Sequence, residues 1–305
     1  GVVPALKSVQ VAGLRPEQVR AFGGSQLEAL TAQAVRGLAP AAMFALGSDQ
    51  LSALSPTQWA AMTSAQIGGL SALGLASLGQ GVFEGLTSTQ VVGLSSGQVR
   101  DLQDDQFGAL TVPALKALSP AVLSGLGSSA LWSLGDVQVR ALSPVQVSSI
   151  SAESLRGLNF ARFGDMLPSQ VSALTVSQVG VLDVEKVEAL GSAQVAAMTP
   201  VQISALRGQR DGYSYEPTPF GALSLSAMGA LSGTQVGALT APQVRVLEAD
   251  QVSAISALAF KSMTTGAVAA LVSEQLAGMT SLQVAGLGVD QIKALGGVQG
   301  GMGQQ

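Results

Sequence analysis

A large apolar residue returns at every eighth position along almost the whole chain. It runs from Leu6 through Leu14, Phe22 and Leu30 without a slip to Leu206, 26 anchors in succession, and resumes from Leu223 to Leu295 for ten more. With the anchor as position a and the following residues as b to h, the commonest unit reads Leu, Ser/Thr, x, x, Gln, Val, x, Ala/Gly. LTSTQVVG, beginning at Leu86, is one example. The apolar positions a, f and h do not alternate as those of a half-buried strand do. They spell a helix start. Ser/Thr at b is an N-cap, Gln at e is the other half of a capping box, and a and f are the hydrophobic staple pair.

Other residue types obey the same frame. Proline suits the first helical position, c, where its missing N–H costs nothing, and eight of the twelve prolines fall in that register, among them Pro16, Pro40, Pro144, Pro200 and Pro217. Acids favour a first turn and bases a last turn. Glu17, Asp49, Glu153, Glu185 and Asp290 share position d, while Arg20, Arg36, Arg140, Arg156 and Lys293 share position g. Each octad is therefore expected to form one helix of about one and a half turns, with a small residue at h that lets the chain bend into the next cap. Such a helix is unstable alone. The octads must stack, and the expected fold is an all-α solenoid of very short capped helices.

Position e varies on a longer period. Gln10, Gln18 and Gln26 are followed by Ala34 and Ala42, then Gln50, Gln58 and Gln66 by Gly74 and Val82, and Gln90, Gln98 and Gln106 by Ala114 and Val122. Three Gln units and two small or apolar ones make 40 residues, which predicts five octads per turn and vertical stacking of residues 40 apart. The units without Gln carry larger f residues such as Met43, Phe83, Phe163 and Phe260. Either two sides of the coil differ from the other three, or Ala there replaces a dispensable cap partner, worth about 1 kcal/mol.

The register breaks once. From Leu206 a nine-residue unit leads to Tyr215, and EPTPFGA then leads to Leu223. The expected organisation is solenoid over 1–206, an irregular insertion over 207–222, the same solenoid over 223–297 and a Gly/Gln-rich tail over 298–305. Both tyrosines of the chain, Tyr213 and Tyr215, lie in the insertion beside Arg207, Arg210 and Phe220. Aromatic and Arg clusters anchor interfaces, so these five are candidate interface residues; the alternative is a tolerated insertion whose rings pack back on the solenoid. Trp132, at the outward position g, is a sixth candidate, whereas Trp59 at f is expected in the core.

Composition narrows the chemistry. The 305 residues are 47% hydrophobic but only 4% aromatic and 11% charged, with no cysteine and no histidine. That removes disulfides, thiolate chemistry and imidazole ligands or bases. A net charge of −4, thinly spread, indicates neither a nucleic-acid surface nor a basic membrane face. The uncharged stretch from Asp49 to Glu84 is interrupted throughout by Ser, Thr, Gln, Gly or Pro, so no transmembrane segment is expected. Serines lack a recognisable base, and acid pairs such as Asp104 and Asp105 are explained by helix N-termini. No catalytic residue, metal site or cofactor is expected, and the chain reads as a protein that is not an enzyme.

The wording of the repeat, LTSTQVVGL from Leu86 and LSPVQVSSI from Leu142, resembles repetitive segments of very large secreted or surface-attached bacterial proteins, the adhesins and exoproteins. The resemblance implies an extracellular or cell-surface location and a structural or adhesive role, and carries over no catalytic residue. A repeat core without polar capping units exposes apolar ends, and complementary ends stack head to tail. The first expectation is thus a self-assembling filament subunit whose partner is itself. The second is a stalk or ligand-binding module of a surface adhesin, touching a surface ligand or the cell envelope.

Overall fold

The computed structural model describes residues 6–208 and 218–296. Among them there is no strand, and the helices begin at the octad interval, as in Ser8–Ala12, Pro16–Arg20, Gly24–Glu28 and Ala32–Gly37. The α-helices are four to six residues long except the last, Val289–Gly296, with eight, and Phe220–Ala222 is a three-residue 3-10 helix. The chain divides into two compact units, residues 1–158 and 159–305, and each is a solenoid of such helices.

The octad is built as its residue types require. Position b is extended, for example Ser55 at φ −70° and ψ 159°, and its carbonyl accepts the N–H of f, as Trp59 to Ser55. The anchor a leaves the helix in extended geometry, as Met62 at φ −65° and ψ 145° and Leu70 at φ −65° and ψ 144°, and its N–H closes on the carbonyl of f. Both positions of the staple then point inward. Every f residue from Val11 to Val268 and every anchor from Leu30 to Leu271 is buried, Trp59 included.

One octad departs from the rule. Leu126 to Ser133 forms consecutive turns, with Ala130 N–H on Gly127 O at 3.3 Å, and no regular helix. Its b residue is Gly127 and its e residue Ala130, so both halves of the capping box are missing, as they are at Gly79 and Val82, where the helix Gln80–Gly85 still forms. Ala130 and Leu131 are nevertheless buried.

The expected turn of five octads is not what forms. Helices pack on those three octads away, Ser8–Ala12 on Ala32–Gly37 and Pro168–Ser172 on Ser192–Ala197. Gln amides, meanwhile, reach carbonyls 28 and 31 residues earlier. One turn therefore takes between three and four octads. The physical reason is core volume: an edge contributes one Leu and one Val-sized chain, which fill the middle of three to four edges but not of five. The 40-residue alternation at e is a pattern of composition, whereas the described helix contacts recur three octads apart and the Gln bonds 28 and 31 residues apart.

The small residue at h also has a different cause from the one expected. Its backbone is ordinary right-handed helical, as at Gly13 (φ −83°), Ala29 (φ −75°) and Gly157 (φ −69°), a conformation open to any residue. Size is what matters. A Cβ on Gly93 would fall on the carbonyl of Ser64, and one on Gly157 on that of Ser128, each at position c three octads earlier. Where h is Ala53, the facing c residue is Gly24. The backbones of successive turns touch at this pair of positions.

The insertion falls within one octad, whose flanking residues are described. Phe220 N–H donates to Arg207 O at 3.0 Å, the same f-to-b bond found in regular octads. Leu206 is thus a, Arg207 b, Gly208 c, and Phe220, Ala222 and Leu223 are f, h and the next a. Gln235 and Gln243 reach back 40 and 37 residues instead of 31 and 28, the difference being nine. Nine residues, 209–217, interrupt an octad whose ends still meet.

Candidate interaction surfaces

The polar side chain that defines the surface chemistry is Gln at e. Gln66 is representative. Its Oε1 accepts the Thr63 N–H at 2.9 Å, the local capping bond. Its Nε2 donates to Val35 O and Leu38 O, both at 2.8 Å, on the preceding turn. The same arrangement holds at Gln58, Gln98, Gln146, Gln202 and Gln283, each nearly fully buried. Burying a carboxamide is favourable only when its donors and acceptor are matched. No buried side-chain nitrogen or oxygen among the described residues lacks a partner. Where b is glycine, as at Gly23 and Gly47, the Gln half of the box persists without the hydroxyl half.

This bond has a direction, and the terminal layers show it. Gln10, Gln18 and Gln26 are exposed, with Oε1 held by the N–H groups of Lys7, Arg15 and Gly23 at 2.7–2.9 Å. Their Nε2 groups have no partner among the described residues. At the other extreme, the carbonyls of Leu276, Met279, Val284 and Leu287 receive no side-chain donor among the described residues, whereas Val252 O and Ile255 O receive Gln283. The core is also open there, Val284 and Ile292 being 48% exposed, while Val11, Val19 and Leu27 of the first layer are fully buried.

The candidate interface residues separate. Trp132 is 60% exposed, as its g position implies. Arg207 is exposed and its guanidinium donates to Leu182 O at 3.3 Å. Phe220 is fully buried at f, so it is a core residue of its octad and presents nothing to a partner. Arg210, Tyr213 and Tyr215 lie outside the described residues. The spacing did not single out the exposed Nε2 groups of Gln10, Gln18 and Gln26, because the capping motif explains a Gln through its oxygen alone.

One octad replaces the Gln by a cation. Lys186 is buried, and its Nζ donates to Asp183 Oδ2 at 2.7 Å while its backbone N–H donates to Asp183 Oδ1 at 2.9 Å. Burial alone would raise the Asp183 pKa, but the ammonium and backbone hydrogen bonds outweigh it and hold the carboxyl below its ordinary value. A lowered folded-state pKa contributes stability that is present above the ordinary aspartate value of about 3.9 and lost as pH falls through the folded value. Following the Asp183 carboxyl carbon by NMR should give a titration midpoint below that of a free aspartate, and Lys186→Gln should raise it. An unchanged midpoint would remove the ion pair from the account.

Among the described residues no group of three His, Cys, Asp or Glu side chains could hold a metal ion, and no helix is long and apolar enough to cross a membrane. No family model matches the chain, and no curated protein matches it.

Proposed function

We propose that the chain is a non-catalytic structural repeat protein that self-assembles, the last octad layer of one copy seating the first layer of the next, as the subunit of an extracellular bacterial filament. The observation that carries this reading is the Gln amide bond that joins successive turns, since the same donors and carbonyls on two copies could join one layer to another. Among the described residues the Nε2 groups of Gln10, Gln18 and Gln26 meet no acceptor and the carbonyls of Leu276, Met279, Val284 and Leu287 no side-chain donor, and a layer of a second copy would cover the exposed Val284 and Ile292. Each contact is one that already joins successive turns inside the units, as Gln50 joins Val19 O and Phe22 O at 3.1 and 2.7 Å. Head-to-tail contacts of this kind are heterologous and propagate unless rotation closes them. The extracellular bacterial setting rests on the resemblance of the repeat wording.

The test is sedimentation of the full chain over a range of concentrations, with negative-stain microscopy of the largest species. The comparison is the triple variant Gln10→Glu, Gln18→Glu, Gln26→Glu. Glutamate keeps the capping acceptor but cannot donate, so each layer stays folded while its outward bond is lost. The wild type should assemble with concentration and the variant should not. A wild type that stays monomeric at every concentration removes the filament reading and leaves the adhesin stalk.

A further inference from the structure

The bonds between turns are not spread evenly. Positions e without Gln elsewhere run to no more than two in succession, as Ala34 and Ala42 or Gly74 and Val82, so a turn of three to four octads still keeps a Gln. Once there are three, Ala114, Val122 and Ala130. The carbonyls 28 residues before them are those of Leu86, Leu94 and Leu102. None receives a side-chain donor among the described residues, whereas Met62 O, Leu70 O and Leu78 O receive Gln90, Gln98 and Gln106.

This plane is packed but weakly tied. Val112–Ala117 lies on Ser88–Val91 and Pro120–Leu123 on Ser96–Val99. Between Phe83 and Leu126 the backbone–backbone hydrogen bonds span three or four residues, so none joins one turn to the next. At the edge Ser133 Oγ donates to Asp104 O. The remaining hold is apolar. The stacks on either side are tied as usual. Below, Gln90, Gln98 and Gln106 bind the preceding turn; above, Gln138 donates to Leu110 O, Gln146 to Leu115 O and Leu118 O, and Ser154 to Leu126 O. The same plane carries the octad without a regular helix, Leu126 to Ser133. Stability of a stacked repeat is a sum of unit and neighbour terms, and both are reduced here.

We propose that the unit of residues 1–158 has a built-in opening plane between the octads from Leu86 to Leu102 and those from Leu110 to Leu126. The coil parts there while both flanking stacks stay closed, a local opening that breaks no backbone hydrogen bond. The device is independent of the stacking of terminal layers.

The chain has no cysteine, so a single introduced thiol reports the opening in the full chain. Ala114→Cys and Val35→Cys place one at fully buried positions of the same unit. The first lies on the plane without Gln; the second lies where Gln66 donates to Val35 O. With a chromogenic disulfide reagent in excess, Ala114→Cys should react at least about tenfold faster, the scale of one or two missing hydrogen bonds. Its rate should hardly change in denaturant too dilute to unfold the protein, whereas that of Val35→Cys should follow global stability. Adding Val122→Gln and Ala130→Gln to Ala114→Cys supplies donors for Leu94 O and Leu102 O and should slow the reaction to the Val35→Cys rate. Position e accepts Gln beside a large f residue, as Gln58 beside Trp59 and Gln106 beside Phe107, all buried. Should the Gln variant fail to fold, the two rates and their denaturant dependence decide alone. Equal rates at the two thiols, an Ala114→Cys rate that tracks global unfolding, or no slowing in a folded Gln variant would overturn the proposal.

Discussion

Gln66→Glu should destabilise the protein by about 3–5 kcal/mol at neutral pH, the cost of leaving a charge buried without its partner. Gln66 is 1% exposed. The substitution keeps the acceptor for Thr63 N–H, but it places a carboxylate against Val35 O and Leu38 O where an amide donated at 2.8 Å. Gln66→Ala should cost less, about 1–3 kcal/mol, because it removes bonds without burying a charge. Chemical denaturation of the three proteins reads the difference. The carboxyl introduced by Gln66→Glu would have a raised folded-state pKa through burial. Its penalty should therefore shrink as pH falls and the protonated acid regains a donor, and grow as pH rises. Equal stability of the Glu and Ala variants at neutral pH would mean that the bond to the preceding turn contributes nothing.

The second large effect concerns the nine inserted residues. Removing residues 209–217 joins Gly208 to Thr218 and restores an uninterrupted octad, LRGTPFGA, ahead of Leu223. Its melting temperature should match or exceed that of the wild type, since joining Arg207 and Phe220 across nine further residues carries an entropic cost that the deletion abolishes. Phe220→Ala should behave in the opposite way and lose about 3–5 kcal/mol, as expected for a large aromatic removed from a filled core. Phe220 is fully buried, and Gly208 lies tight against the backbone of Gln243. A deletion that unfolds the protein would show that the nine residues are structural; a tolerant Phe220→Ala would show that the octad does not close as described.

The local structure was legible because each octad states its own cap. Ser55 and Gln58 at spacing three announce a helix start, and the structure places them in a reciprocal box. The stacking was not legible from the same spacing. A Gln explained by its oxygen leaves its two amide hydrogens unaccounted for, and those hydrogens set the offset between turns. The five-octad period came instead from the identities at e, which do not report the reach of the side chain. The closure of the interrupted octad was not legible for a related reason: Tyr215 lies nine residues after Leu206 in the sequence, while the pairing of Arg207 O with Phe220 N–H is visible only in space. Trp132 at g and Trp59 at f were placed correctly because the frame fixes inside and outside within each octad.

The central claim is that Gln amides join successive turns, and hydrogen exchange of the Gln side-chain amides measures it most directly. The Nε2 hydrogens of Gln58, Gln66 and Gln98, bonded across turns and nearly fully buried, should exchange slowly and vary with global stability. Those of Gln10, Gln18 and Gln26 should exchange at the rate of free amides in dilute protein. Uniformly fast exchange at all six would contradict the account.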